Sequence, residues 1–387
     1  MKSVHWIRNP FLALAPQDDG YLAYDMESGR LHHLNLAATL ILELSDGSRT
    51  LESLCSDLAA LDASLNWNTC AEWIEYARSA GLLKLIDAEA PNPAQPAAAD
   101  FLSCSRDLRD HGNVRAAFVC QRHATLLFPC EPGEWKFLGE LAHIVGRRND
   151  AREAYERYLD LCPGDEEIAH ILKALRNEPA PPRAPDRCVE QLYARFADYY
   201  EDSMCGDLGY QAPARLIDAV ISELGNAANL DVVDLGCGTG LFGRLLRPRA
   251  RNLTGVDLSP EMIAEARKTG IYDRLDACEM TSWLKGRRDP ELDLIAACDC
   301  LIYFGDLRQV LLPAAHLLRP GGWMAFTLER GETEPFRLTD SGRYSHSPSH
   351  VHQAAESAGL TVASITETIL RYEYGEPVTG VVAVLRR

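Results

Sequence analysis

The sequence predicts an α/β fold over residues 188–387, preceded by a winged-helix-like α+β unit over 1–88 and an α-helical hairpin pair over 101–176. Three observations carry this. A glycine turn, Gly236-Cys237-Gly238-Thr239-Gly240, stands between an apolar run at 230–235 and a helical pattern holding Leu241, Leu245 and Leu246. Near the start, short extended runs punctuated by Asp19-Gly20 and Ser28-Gly29 are followed by three stretches of helical pattern. Between these regions the chain repeats itself at an offset of 34 residues, matching Gly112 with Gly146, Ala117 with Ala151, Leu127 with Leu161 and Pro129 with Pro163.

Composition sets the boundaries. Residues 89–100 and 177–187 are rich in proline and alanine and hold no apolar period. They read as linkers, because proline stiffens a chain and keeps it out of helix and sheet interiors. Hydrophobic residues make up 47% and charged residues 25% of the 387, ordinary values for a globular protein. A formal net charge of -17 repels phosphate backbones, so nucleic acid is not an expected partner. The 12 cysteines are scattered without a CxxC pair, which argues against a structural metal. No run reaches the roughly 18 apolar residues of a membrane span, and no export signal is recognisable. The expectation is a cytoplasmic protein with reduced thiols and no membrane partner.

In the first unit, strands are expected at 11–14, 21–24 and 31–34, joined by glycine-containing hairpin turns. Helices are expected at 36–44, 50–61 and 69–80, the last stopped by Gly81. On the runs SGRLHHLN, LELSDGSRTLESLCSDL and EYARSAGLL, this unit resembles the PqqD-type peptide-chaperone family, also called the precursor-peptide recognition element. The resemblance implies that the leader of a ribosomally made precursor peptide adds as a strand along Leu31, His32, His33 and Leu34, with Trp73, Tyr76 and Ala77 lining the groove. In that mode, exposed backbone groups supply hydrogen bonds and pockets select side chains. The plainer alternative makes Trp73 and Tyr76 part of the core.

The period of 34 is that of the tetratricopeptide hairpin, and the second copy, GRRNDAREAYERYLDLCPGDEE, is the fuller one. Two copies fall short of the three or so that such arrays usually need, so the segment is expected to lean on a neighbour. It reads either as a spacer or as a peptide-binding surface.

The last segment carries the chemistry. The strand at 230–235 runs into the glycine turn, which lets a ligand approach the backbone. A second strand ends at Asp257, seventeen residues after Gly240, where a Rossmann-like fold keeps a ribose-binding carboxylate. Such a carboxylate accepts from both ribose hydroxyls. Further strands are expected at 292–297, ending at Cys298-Asp299, and at 323–328 after Arg319-Pro320-Gly321-Gly322. On VVDLGCGTG, GVDLSPEM and LLRPGGWMAFT, residues 188–387 resemble the class I S-adenosylmethionine (SAM)-dependent methyltransferases.

The resemblance implies SAM as cofactor. Gly236, Gly238 and Gly240 would approach its methionine part, Asp257 would hold the ribose, and Glu279, with Asp276 as the near alternative, would receive the adenine amino group. Asp234, Cys237, Leu258, Met280 and Asp299 complete the cofactor-binding set, with Asp234 alternatively orienting the glycine turn and Cys237 filling space. The tetratricopeptide-like segment likewise resembles those preceding methyltransferase domains in some bacterial proteins.

The flanks point to the acceptor. LYARFADYYEDSMCGDLGYQAPARL resembles the entry helix of tetratricopeptide-linked methyltransferases, placing Tyr193, Phe196, Tyr199 and Tyr200 on one helical stripe and Tyr210 over the cofactor. Such a stripe is equally a core feature. A GRYSH segment, also shared with those proteins, nominates Arg343, Tyr344 and His346 for the substrate side, with His350 and His352 at the surface. The SAM methyl is already electrophilic, so a base is needed only for a protonated, weak acceptor, and His346 and Tyr303 are the candidates. The run CDCLIYF lacks the signatures of DNA methyltransferases. The expected function is methylation of a precursor peptide captured by the first unit. The alternatives are a small-molecule methyltransferase and a non-catalytic SAM- or peptide-binding scaffold.

Overall fold

A computed structural model describes residues 4–61, 66–89, 91–194, 201, 204, 208–288, 291–332, 335–373 and 375–387. The chain forms two compact units, Met1–Pro163 and Gly164–Arg387. Among the described residues no helix is long and apolar enough to cross a membrane, and no group of histidines, cysteines and carboxylates is arranged to hold a metal.

The first unit opens with β1 (Val4–Arg8), β2 (Leu12–Gln17), β3 (Gly20–Asp25) and β4 (Arg30–Asn35). Then come α1 (Leu36–Leu44), β5 (Asp46–Arg49), α2 (Leu51–Leu61), α3 (Trp67–Ser79) and β6 (Leu83–Asp87). The three expected strands form one antiparallel sheet, β2-β3-β4. A second sheet, β5-β1-β6, was not expected, since DGSR and LKLID carry weak strand patterns and pair only with distant β1. At Gly20 a Cβ would lie 1.9 Å from the Leu34 carbonyl, so the β3–β4 pairing requires glycine there. The three helices close over Leu12, Leu14, Ala23, Leu34, Leu54 and Ile74. Each fully buried large aliphatic side chain contributes about 1.5–3 kcal/mol.

Four helices continue this unit: α4 (Ala98–Asp110), α5 (Val114–Leu127), α6 (Pro132–Ile144) and α7 (Arg148–Leu161). Their starts repeat the sequence period, 98 to 132 and 114 to 148, each a step of 34. Gly112 and Gly146 end α4 and α6 at φ +80° and +76°, where a side chain would be strained. Gly139 lets α6 close on α7, because a Cβ there would fall 2.3 Å from the Tyr155 ring. Helix α5 packs on β2. Residues 89–100 therefore lie within one compact unit instead of separating two.

The second unit begins with α8 (Glu166–Leu175), α9 (Asp186–Ala194) and α10 (Ala212–Leu224). An α/β alternation follows: β7 (Leu230–Leu235), α11 (Leu241–Leu246), β8 (Ala250–Asp257), α12 (Pro260–Thr269), β9 (Arg274–Ala277), α13 (Met280–Lys285), β10 (Leu292–Ala297), α14 (Arg308–Leu317) and β11 (Leu318–Arg330). The chain ends with β12 (Phe336–Leu338), β13 (Tyr344–His346), α15 (Pro348–Ser357), β14 (Thr361–Glu373) and β15 (Glu376–Arg386). The sheet order is β12-β13-β11-β10-β7-β8-β9, with β15 antiparallel on β11 and β14 on β15. Strands β11, β10, β7, β8 and β9 are parallel, and β7 and β10 are buried on both faces. Strand order reverses between β7 and β10, which opens a crevice at their carboxyl ends.

Residues 177–187, expected as a free linker, are packed into this unit. The Pro182 carbonyl accepts from the N–H groups of Gly305 and Asp306, the Ala184 N–H donates to the Tyr303 carbonyl, and the Tyr344 hydroxyl donates to the Pro181 carbonyl at 2.8 Å. Proline removes a donor and leaves its acceptor intact, so an extended proline-rich strap docks through its carbonyls.

Candidate active site

The crevice starts at the turn after β7. Gly236, Gly238 and Gly240 take φ +66°, +53° and +99°. A Cβ on Gly236 would meet the Cys300 Cβ at 2.5 Å, whereas one on Gly238 would meet nothing within 4 Å. The backbone at Gly238 is thus left bare toward the crevice, which Gly236 and Gly238 both line. Asp257, at the end of β8, accepts from the Gly238 N–H at 2.8 Å and the Ser259 N–H at 2.9 Å. Burial raises its carboxyl above the usual range, against the pull of those N–H groups and that of Leu258. Leu258 and Met280 line the same crevice.

Asp234 lies behind the turn and does not reach the crevice. It is fully buried, and Tyr272 donates to its Oδ2 at 2.7 Å. Burial, with the charge of Asp257 added, pushes its carboxyl up to about 7, and the Tyr272 bond opposes the shift. A Cβ on Gly243 would lie 2.1 Å from the Tyr272 hydroxyl, so the ring is wedged under the turn. Asp234 therefore orients the turn through Tyr272. Gly240 serves as the helix α11 cap, and buried Cys237 fills space beside it.

Glu279 lines the crevice, but its oxygens are committed. They accept from the Thr281 N–H at 2.9 Å, the Thr281 hydroxyl at 2.6 Å and the Ser282 N–H at 2.8 Å, and they pair with Arg183 at 2.8 Å. Asp276 is outside the crevice, held by the Trp283 indole at 2.7 Å. Sequence reasoning missed Arg183, Ala184 and Asp186, which line the crevice from the proline-rich strap. Their composition signals a linker, and only the docking of residues 181–184 against 303–305 brings them in.

On the far wall stands Asp299, at φ +54° and almost fully buried. Non-glycine residues held there store strain and cluster at functional sites. Its N–H donates to the Thr327 hydroxyl at 2.8 Å, and Arg371 from β14 grips both carboxylate oxygens at 2.9 and 3.0 Å. Arg371 also pairs with Glu329 and, at 2.8 Å, with Glu373; Arg343 pairs with Glu329 at 2.8 Å and Glu373 at 2.6 Å. Burial alone would lower the Arg371 guanidinium, but Asp299, Glu329 and Glu373 hold it firmly protonated. A second cavity opens here, lined by Tyr193, Asp299, Tyr303, Arg343, Arg371 and Glu373 among others. The Tyr303 and Tyr193 hydroxyls are 3.0 Å apart, and burial pushes Tyr303 up to about 12.

Several expected roles are corrected by burial. His346 is fully buried, stacked on His350 with ring centroids 5.3 Å apart, and lines neither cavity. Burial and neighbouring His350 push it down to about 3, so it is a neutral core residue. His350 is buried too, whereas His352 is exposed. Tyr344 is fully buried and anchors the strap. Tyr210 sits by the turn with its hydroxyl 3.8 Å from the Cys298 thiol. Phe196, Tyr199 and Tyr200 lie outside the described residues.

In the first unit, β4 is an edge strand, paired among the described residues with β3 alone. Along it His33 is exposed, Leu31 and His32 are half-buried, and Leu34 is in the core. Ala77 is fully buried and so cannot line an open groove; Trp73 is half-buried against the core, and Tyr76 is 59% exposed.

Residues 233–324 match the family model of a methyltransferase domain. Human methyltransferase-like protein 27 is 31% identical over 138 residues, covering 35% of this chain and 56% of that protein. The chain thus spans about half the length of that relative. A ubiquinone biosynthesis O-methyltransferase of Coxiella burnetii is 28% identical over 195 residues, covering 45% of this chain and 82% of that one. A solved SAM-dependent methyltransferase from Mesorhizobium loti aligns at 23% identity and a TM-score of 0.36, over 44% of this chain and 96% of that one. The family match runs from β7 into β11, the stretch that builds the crevice, so the second unit of this chain carries a methyltransferase domain.

Proposed function

We propose that the protein transfers the methyl group of SAM to an acceptor held in the cavity beside Tyr303 and Arg343. The observation that carries this reading is a shared wall: Tyr193, Asp299 and Tyr303 line both the glycine-turn crevice and the neighbouring cavity. The residues present fit the cofactor. The bare backbone at Gly238 leaves room for its methionine part, and Asp257 lines the same space for the ribose. Arg183 and Glu279 would bound the adenine end as a pair, with Glu279 serving more as anchor than as acceptor.

Bound SAM supplies a sulfonium-activated methyl group. The chain's own contribution is position and dryness. Aligning the acceptor behind the methyl carbon is worth roughly 7–11 kcal/mol of barrier. Met280, Cys300 and Phe304 keep the walls apolar. Tyr303, neutral at physiological pH, orients the acceptor by hydrogen bonding. With His346 in the core, no base is assigned.

For the acceptor's carrier we propose a precursor peptide whose leader adds along β4, because that edge has backbone groups unpaired by any described strand. Linking leader capture to a catalytic unit raises the local concentration of the core segment. A small-molecule acceptor is the second reading, favoured by the relative named for ubiquinone biosynthesis. The full chain, given labelled SAM and a co-encoded short peptide with or without its leader, separates them. Methylation that needs the leader is expected; equal rates would remove leader capture and leave the small-molecule reading. For the cofactor itself, Asp257→Ala should weaken SAM binding in calorimetry, and unchanged affinity would contradict the ribose role.

A further inference from the structure

We propose that Cys104 and Cys120 are a hydroperoxide-sensitive thiol pair that closes reversibly into a disulfide across the α4–α5 hairpin. The site lies in the first unit and is independent of the methyl-transfer reading. The two sulfurs sit on facing helices, 3.9 Å apart. Side-chain rotation and a small helix shift close that gap to the roughly 2.05 Å of an S–S bond. The helices are pinned together one residue along, where the Ser105 hydroxyl donates to the Ala117 carbonyl at 2.9 Å.

The pair is asymmetric. Cys104 is half-buried, whereas Cys120 is fully buried. Cys120 donates its S–H to the Cys104 sulfur, and that bond holds Cys104 below the usual thiol range, against its burial and the charge of Asp107. The same bond, with burial added, pushes Cys120 up. A reachable sulfur with thiolate character beside a resolving thiol is the arrangement of oxidation-sensing cysteines.

The chain supplies two comparisons. At the offset of 34, Cys104 matches Leu138 and Cys120 matches Ala154. Both of those are buried apolar residues of the α6–α7 hairpin. Packing at these positions is thus met without sulfur, and of the two hairpins the first carries thiols at both. The other comparison is Cys55 and Cys70, which are hydrogen-bonded to each other between α2 and α3. They are 2% and 0% exposed, and burial pushes both up, Cys55 to about 11. Proximity is present there, but access and thiolate character are missing.

The chemistry balances with hydrogen peroxide as oxidant. The Cys104 thiolate attacks one peroxide oxygen, the O–O bond breaks, and the other oxygen leaves with the electron pair and takes the thiol's proton as water. Cys104 is then a sulfenic acid. The Cys120 sulfur attacks it, an S–S bond forms as the S–O bond breaks, and the departing hydroxide takes the Cys120 proton as a second water. The thiols lose two electrons and two protons, and the peroxide gains both. The product fastens α4 to α5, the helix packed on β2.

The test uses the full chain, reduced, desalted and exposed to dilute hydrogen peroxide, with remaining thiols alkylated and peptides mapped by mass spectrometry. A Cys104–Cys120 linkage should form, be reversed by dithiothreitol, and appear about tenfold faster than a linkage of Cys55 with Cys70. Cys120→Ala, which brings in the residue type of the second hairpin, should leave at Cys104 a sulfenic acid that dimedone captures. Cys104→Ser should leave Cys120 alkylatable at the same peroxide dose. The wild-type map decides even where a variant fails to fold. The proposal is overturned if Cys104 and Cys120 both stay alkylatable after peroxide, if Cys55 and Cys70 link as fast, if Cys104 passes to sulfinic acid without a linkage, or if folded Cys120→Ala gives no dimedone adduct.

Discussion

The two halves of the crevice are built in different ways. The cofactor half comes from contiguous pieces of chain: the turn at Gly236–Gly240 and the end of β8 at Asp257 lie within one strand–helix–strand unit. Its key groups are backbone, bared by glycine and pointed by two hydrogen bonds to a single carboxylate. The acceptor half is assembled from Tyr193, Asp299, Arg343 and Arg371, drawn from four separate elements and joined by ion pairs among side chains. The first half is a local device with fixed geometry. The second is a tertiary one, open to variation in any of its elements.

This contrast can be broken or sharpened by substitution. The largest effect is expected from Arg371→Leu, which leaves Asp299, Glu329 and Glu373 buried with one cation fewer. It should cost about 3–5 kcal/mol in denaturant unfolding, with Arg371→Lys recovering part. A variant that lost SAM affinity at unchanged stability would show that the two halves are not separable. Next comes Gly236→Ala, at φ +66° and facing Cys300 at 2.5 Å. About 3 kcal/mol of strain and overlap is expected, read as weakened SAM binding in calorimetry. Asp257→Asn keeps shape but removes the charge that two N–H groups serve. A loss of about 2 kcal/mol in SAM affinity should follow in calorimetry.

The smallest effect is in pH. Native Asp234 holds its proton up to about 7, while the unfolded chain releases it near the ordinary value of 3.8. Between those values the native state binds more protons, so this group's contribution to stability falls as pH rises through the window and levels off above it. From pH 6 to pH 8 the loss is about 1.4 kcal/mol. Asp234→Asn, which can still accept from Tyr272, should flatten that slope in unfolding curves; an identical slope would refute the assignment.

Legibility followed the same divide. The glycine turn, Asp257 and the order of strands were readable because turn chemistry and strand period are local signals. The helices of the repeat were readable at their step of 34 for the same reason. The strap at 181–184 was misread, because proline-rich composition reports on the absence of donors and says nothing of where the carbonyls dock. His346 was misread because a histidine in a loop-like segment looks polar until β13 places it under Phe336 and His350. Strands β5 and β6 went unseen because their pairing partner, β1, lies about forty or more residues away. Arg371 gave no signal at all, being one arginine in a polar hairpin strand.

The sequence by itself determined the α/β alternation, the bared backbone after β7 and the carboxylate that grips it. Those depend on φ, on residue size and on spacing along the chain. Tertiary structure alone decided which charged groups meet around the acceptor. The sum of charges at a buried point depends on neighbours that share no local pattern, and burial sets how strongly each one counts.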